Sequence, residues 1–211
     1  LLLVYKTTLI PNLRETVDRW RRRAAAAGVG DPFLVSCETG GHEDALAAGF
    51  DALVEFPPHR HRAIWLNGVV AGLDPAFEGV LTSYRSQVVQ SLRRSVGRER
   101  LLRCVFPSWD NTPRQPTRGT VFVGSSPDLF GYWAEAMVRD TLARFDGEDR
   151  LLFVNAWNEW GEGCCLEPDR RYGTQYLDAL RAALERGAGP ADALCAMPRW
   201  TTSGVAPPAS V

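Results

Sequence analysis

Two glutamates, Glu159 and Glu162, stand three positions apart in the run NEWGEG, with Trp157 and Trp160 beside them and glycine at 161 and 163. Glycosidic-bond cleavage needs two carboxyl groups, one protonated to help the leaving oxygen depart and one ionised to generate or act as the nucleophile. Indoles beside such a pair keep water from one carboxyl and raise its pKa, as an acid working near neutral pH requires. The plainer alternative is that both glutamates favour the first turn of a following helix, where the helix dipole stabilises negative charge. A second polar cluster, Trp109, Asp110, Asn111 and Arg114, lies in WDNTPR. Asp110 and Asn111 can hold two hydroxyls of one sugar ring, Trp109 can stack on a ring face, and Arg114 can pair with Asp110 or with an acidic sugar. The same residues can instead brace a loop. Glu55, Tyr84 and Asn158, each closing or following an apolar run, complete the candidate substrate contacts.

Residues so far apart in sequence act together only if the fold delivers them to one place. Short apolar runs recur at 1–7, 32–38, 51–56, 79–84, 101–109 and 151–157. They are continuous rather than alternating, as expected of parallel strands covered on both faces. Amphipathic stretches lie between them. Leu13, Val17, Trp20, Ala24 and Ala27 form one stripe closed by Gly28, and Val88, Val89, Leu92 and Val96 form another closed by Gly97. Ser125 or Ser126 can cap a third helix with Pro127 in its first turn and Phe130, Trp133, Met137, Leu142 and Phe145 on its buried side. Leu177, Leu180 and Leu184 mark the last, stopped by Gly187.

This βα repetition predicts an α/β fold. A doubly wound sheet would carry GxGxxG between its first strand and helix, whereas Gly28-Val29-Gly30 follows a helix. A (β/α)8 TIM-barrel type fold suits the polar strand tips, because its working groups stand at the C-terminal ends of strands. Such a barrel takes about 250 residues, so the 211 residues here are expected to hold its later strands only. On this reading residues 1–187 are the C-terminal part of an incomplete barrel catalytic domain. The Ala-, Pro-, Gly- and Ser-rich stretch 188–211 is a loosely ordered tail. The opening in mid-strand without Met predicts an upstream segment.

Composition narrows the partners. With 24 Lys+Arg against 25 Asp+Glu and a net charge of −1, there is no basic field for nucleic acid or an anionic membrane surface. No apolar run approaches the roughly 18 residues that membrane insertion requires. A neutral glycan or oligosaccharide fits better. The five cysteines form no CxxC pair, which predicts reduced thiols and a cytoplasmic setting. His59 and His61 flank Arg60 without a third ligand nearby, and His42 reads as a surface residue, so no metal centre and no cofactor is expected. The acidic cluster Asp146, Glu148 and Asp149 lies between a helix and a strand, at the end opposite the polar tips, where it is badly placed to hold a sugar-nucleotide's metal.

FVNAWNEWGEGCCLEPDRRYGTQYLDAL (153–180) resembles the C-terminal signature of the glycoside hydrolase family 99-like group, which includes WbsX-like glycosyltransferases of lipopolysaccharide and O-antigen biosynthesis. FPSWDNTPR (106–114), FVGSSPDLFGYW (122–133) and FDALVEFPP (50–58) resemble further segments of that group, in the same order. In the family 99 endo-α-mannosidases and mannanases the matching run has the form NEWHEG and its two glutamates are the catalytic pair. The resemblance implies that Glu159 is the base that deprotonates the sugar 2-hydroxyl and Glu162 the acid that protonates the glycosidic oxygen. It also implies a mannose-type or cell-surface polysaccharide substrate. Gly161 stands where those enzymes have His. The leading expectation is a glycoside hydrolase-like enzyme. Its rivals are a glycosyltransferase that builds such a glycan and a non-catalytic glycan-binding barrel.

Overall fold

A computed structural model describes residues 1–40, 44–59, 63–96 and 100–189. His42, Arg60, His61, Gly97, Cys195 and the expected tail from residue 190 onward lie outside the described residues. In chain order the elements are β1 (Leu2–Val4), α1 (Leu13–Ala26), β2 (Leu34–Cys37), β3 (Ala52–Val54), β4 (Val80–Ser83), α2 (Tyr84–Arg93), β5 (Leu101–Val105), β6 (Thr120–Val123), α3 (Pro127–Arg144), β7 (Leu152–Val154), β8 (Asn158–Glu159), β9 (Cys164–Cys165) and α4 (Gln175–Gly187). The architecture is mixed α/β. The chain forms two compact units, one of Leu1–His61, Ser95–Cys104 and Leu151–Phe153, the other of Arg62–Arg94, Val105–Arg150 and Val154–Val211.

The first unit is built on a five-stranded sheet in the order β1-β2-β3-β5-β7. The first four strands pair in parallel, with Leu2 against Leu34, Val35 against Ala52 and Leu53 against Leu101. Sequential order with parallel pairing is what βα repetition produces. The continuous apolar runs are explained by burial: Leu34, Val35, Ala52, Val54, Leu101 and Leu102 are all buried. Val17 of α1 packs with Leu34, Ala45, Phe50, Leu53 and Leu101, and Val4, Leu13 and Trp20 close over them. Arg21 ties the helix down, its guanidinium donating to Asp31, Asp51 and the carbonyls of Pro32 and Gly49.

The second unit departs from the expected strand series. The run 79–84 does form β4, but β3 pairs directly with β5, so no place remains for β4 between them. It pairs instead in parallel with β6, a strand not anticipated from sequence, in the register Val80 against Thr120 to Ser83 against Val123. Ser83 caps α2 by accepting from Ser86 N; of the two caps the sequence offered for α3, Ser125 and Ser126, it is Ser126 that accepts from Leu129 N, with Pro127 first in the helix. Helix α2 stops at Arg93, where Arg94 turns extended, and Val96 packs against the first unit's core cluster. Tyr84, expected at a strand tip facing substrate, is a core residue. It is 0% exposed, its hydroxyl donates to Phe106 O at 2.5 Å, and its ring meets Phe106 and Trp133 edge to face.

Helix α4 is most deeply buried at residues other than the leucines of its stripe, of which Leu177 and Leu180 are half-buried. Leu184 is 48% exposed, while Tyr176, Ala183 and Gly187 are buried. A Cβ on Gly187 would lie 2.5 Å from Val138 Cγ1, and one on Gly131 would lie 3.3 Å from the Ala179 Cβ. Small residues on both partners therefore bring α3 and α4 close together. Across this seam the buried Glu135 accepts from Arg186 Nε at 2.7 Å, and within α3 it accepts from Arg139 Nη2 at 3.1 Å. Burial opposes its charge, but the two guanidinium groups outweigh burial and hold its pKa below the usual carboxylate range.

Because the folded pKa of Glu135 is depressed, its contribution to stability is complete above the unfolded value of about 4.3. It is lost as pH falls through the lower folded value. Glu135→Gln should lower unfolding free energy at pH 7 by about 3 kcal/mol, the low end for breaking a buried pair because Arg186 is half-exposed. It should also flatten the acid limb of stability; urea midpoints at pH 7 and at pH 3 measure both effects.

Candidate functional site

The NEWGEG run folds as a hairpin in the second unit. Beyond β7, Asn155 N donates to Val105 O, and the Asn155–Ala156 peptide bond is cis. Strands β8 and β9 then pair antiparallel, Asn158 against Cys165 and Glu159 against Cys164, joined by the 3₁₀ turn Trp160–Glu162. Helix α4 begins only at Gln175, so the glutamates are not first-turn residues of a following helix. Gly163 closes the turn at φ 56°, and a Cβ there would lie 2.9 Å from Asp110 O. Only glycine meets both the backbone angle and the close approach.

That close approach fastens two segments together. Asp110 N donates to Glu162 O at 2.7 Å, and Ser108 Oγ donates to Gly163 O at 2.6 Å. The WDN segment is in turn fixed to β6. Phe122 N donates to Trp109 O, Thr120 N donates to Asn111 Oδ1 at 2.6 Å, and Asp110 Oδ1 accepts from Thr112 N and Thr112 Oγ1. Asp110 Oδ1 and Asn111 Oδ1 are thus engaged in bracing the loop.

Arg114, five positions after Trp109, reaches across the turn. Its Nη2 donates to Glu159 Oε1 at 2.5 Å and its Nη1 to Glu162 Oε1 at 3.0 Å. One guanidinium therefore holds both carboxylates, rather than pairing with Asp110. Burial pushes the Glu162 carboxyl above its ordinary range; the Arg114 charge opposes this and the neighbouring Glu159 charge adds to it. Gly161 has its own explanation here. A Cβ on it would lie 2.6 Å from Arg114 Nε, so the guanidinium occupies the space that a side chain at this position would need.

The two tryptophans of the hairpin remain open to solvent, Trp157 52% and Trp160 51% exposed. Trp160 is not loose, because its Nε1–H donates to Glu167 Oε2 at 2.9 Å. An indole tethered at its polar edge leaves its faces available for the C–H patches of a pyranose. Asn158 is exposed beside them. Trp109, expected to stack on substrate, is instead 7% exposed and set edge to face against Phe106, where it forms a wall of the core. Glu55 belongs to the first unit, where it is buried, accepts from Arg103 Nη1 at 2.9 Å and receives the Cys104 N–H.

In the second unit the structure thus brings together Glu159, Glu162, Arg114, Asp110, Asn111, Trp109, Trp157, Asn158 and Trp160. Sequence reasoning missed Ser108 and Glu167. Neither has a spacing signal, since the hairpin that folds Glu167 back onto Trp160 is a tertiary event. The cysteines beside the site are inert thiols. Cys164 donates to Asn155 O, burial pushes its thiol far up, and burial pushes that of Cys165 up to about 11.

Residues 1–180 match the family described as Glycosyltransferase WbsX. The protein called Uncharacterized protein WxcX, from two strains of Xanthomonas campestris pv. campestris, is 35% identical over 195 residues. The match takes in 92% of this chain but 28% of that protein's length. Among solved structures, a glycoside hydrolase-like protein superposes with a TM-score of 0.57 over 86% of this chain and 53% of its own. At 16% identity that likeness concerns the fold alone.

The role of Gly163 can be separated from ordinary glycine freedom. Gly124 also has positive φ, 85°, but a Cβ there meets nothing within 4 Å. Gly124→Ala should cost about 1 kcal/mol and Gly163→Ala about 3 kcal/mol, opposite ends of the range for strained backbone. Equal losses in urea unfolding would mean that the contact with Asp110 yields easily.

Proposed function

The chain belongs to the glycosyltransferase WbsX family, and from that membership we propose that it works on glycosidic bonds of a glycan, through Glu159 and Glu162. The observation that carries this reading is the hairpin itself. It presents two carboxylates on one guanidinium, with one carboxyl's pKa raised and two exposed indoles alongside. The chain spans 28% of the length of the curated relatives it matches, so the activity proposed is that of the full-length protein. The parallel, sequentially ordered sheet and the glycoside hydrolase-like neighbour favour a (β/α)8 barrel as its frame.

In the family 99-like mechanism Glu159 takes the proton of the sugar 2-hydroxyl and that oxygen attacks the anomeric carbon. As the glycosidic C–O bond breaks, Glu162 gives its proton to the leaving oxygen. Water then opens the 1,2-anhydro sugar at the anomeric carbon, losing a proton to Glu162 while the 2-oxygen regains one from Glu159. A raised Glu162 pKa suits the acid, which must be protonated at the start. Trp157 and Trp160 stack on sugar rings, and the glycan is a mannose-type or cell-surface polysaccharide.

The family's description as a glycosyltransferase favours a second reading, in which the same carboxylates serve transfer to a growing lipopolysaccharide or O-antigen chain. Hydrolysis should release reducing sugar from mannan or O-antigen fragments without nucleotide. Transfer should instead show as stabilisation by a nucleotide sugar, read from melting temperature.

Glu159→Gln and Glu162→Gln should each lower kcat by about 10² to 10⁴-fold while glycan binding persists. An activated leaving group should partly rescue Glu162→Gln only, since such a group departs without a proton. Wild-type turnover should fall as pH rises through the raised Glu162 pKa, and Glu162→Gln should lose that basic limb. Near-normal rates in both variants would rule out the paired-glutamate site.

A further inference from the structure

We propose that Arg114 is a positioning residue for the glutamate pair and that Gly161 is its seat, the two forming one unit in which the missing side chain makes room for the guanidinium. This deepens the paired-glutamate reading and rests on it for the catalytic consequence, although the contact geometry stands without it.

Two independent features of the turn support the assignment. The first is the double ion pair, which engages Nη1 with Glu162 and Nη2 with Glu159 and so fixes the two carboxyl groups relative to each other. Without that shared partner, the Glu159 side chain at the end of β8 and the Glu162 side chain on the 3₁₀ turn would rotate independently. The second is the space itself, since an ideal Cβ on Gly161 would lie 2.6 Å from Arg114 Nε and 3.2 Å from both Cζ and Nη2. Gly161 does not have the left-handed backbone that would explain a glycine on conformational grounds. The main chain of Arg114 is fixed too, its N–H donating to Asn111 O at 3.0 Å. A guanidinium on a tethered backbone, seated where no Cβ intrudes, gives the geometric specificity that a lysine point charge lacks.

Arg114 also opposes the burial that raises Glu162. The charged and titratable groups around that carboxyl are Arg114 from the WDNTPR loop, Glu159 from β8 and Cys164 from β9, with Asp110 hydrogen-bonded through its backbone. Arg114 is the cation in this set, so its removal leaves the upward influences in place.

The test is a carboxyl titration of Glu162 by ¹³C NMR on the full chain, with ¹³C-labelled glutamate and assignment through Glu162→Gln. Arg114→Ala should move the Glu162 midpoint to higher pH, and Gly161→Ala, which displaces the guanidinium, should move it the same way. The double variant should add little to either, because both remove the same contact. Arg114→Lys should restore part of the midpoint and little of the rate. In the full-length enzyme, turnover should fall about 10²-fold in Arg114→Ala, as expected when reacting groups are misplaced by about 1 Å. Its basic limb should shift upward with the NMR midpoint. An unchanged Glu162 midpoint in both single variants, or a fully additive double variant, would overturn the proposal, whatever their melting temperatures do. A shifted midpoint with turnover indifferent to Glu159→Gln and Glu162→Gln would keep the Arg114–Gly161 unit and reject the catalytic reading instead.

Discussion

Two hydrogen bonds to consecutive carbonyls, Asp110 N to Glu162 O and Ser108 Oγ to Gly163 O, fasten the WDNTPR loop to the NEWGEG turn. They form only because Gly163 lets the backbone turn left-handed directly against Asp110. The arrangement of the site follows from this junction. It brings Arg114 over Gly161, which puts the guanidinium between two carboxylates that would otherwise repel each other. The Asp110 N–H bond lies within the main chain and is insensitive to side-chain rotation, so it sets positions more firmly than the ion pairs above it.

The junction is supported from both directions. Asn111 and Asp110 hold the loop to β6 and within its own turn, and β6 pairs with β4. Below them Phe106, Phe122, Tyr84 and Trp133 interlock edge to face, with centroids 5.2 to 6.0 Å apart. Such contacts add about 0.5–1.5 kcal/mol each beyond the area they bury. The aromatic residues of this protein therefore have two separate uses. Tyr84, Trp109 and Trp133 are buried in the core, while Trp157 and Trp160 are exposed to solvent.

Much of this was legible in the chain. Continuous apolar runs announced β1, β2, β3, β5 and β7, and the serine pair 125–126 before Pro127 marked the start of α3 with two candidate caps, of which Ser126 is the one used. The paired glutamates and Arg114 were visible because charge and spacing are local properties. What stayed hidden was non-local. The run 79–84 looks like any buried parallel strand, and nothing within it reveals that β3 and β5 pair with each other and leave β4 to β6. The leucine period of α4 gave only part of its buried face: Leu177 and Leu180 are half-buried and Leu184 exposed, while the small residues Ala183 and Gly187 are the buried ones. Tyr84 and Trp109 read as surface contacts because composition cannot distinguish a wall from a platform. That position 161 holds glycine was plain in sequence, but the guanidinium that fills the space of a side chain there comes from position 114, a non-local contact.

The Glu167 tether has a thermodynamic side. A free indole on a hairpin samples several rotamers, and a ligand that stacks on it must first suppress that freedom, at about 0.5–1.5 kcal/mol per ordered side chain. Here the hydrogen bond from Nε1 holds Trp160 in place before any encounter. The segment that carries Glu167 is itself held at both ends, by β9 on one side and by α4, locked against α3, on the other. Part of the ordering entropy of this indole is thus met while the chain folds, so on the proposed reading a ring that stacks on Trp160 would meet a side chain already restrained.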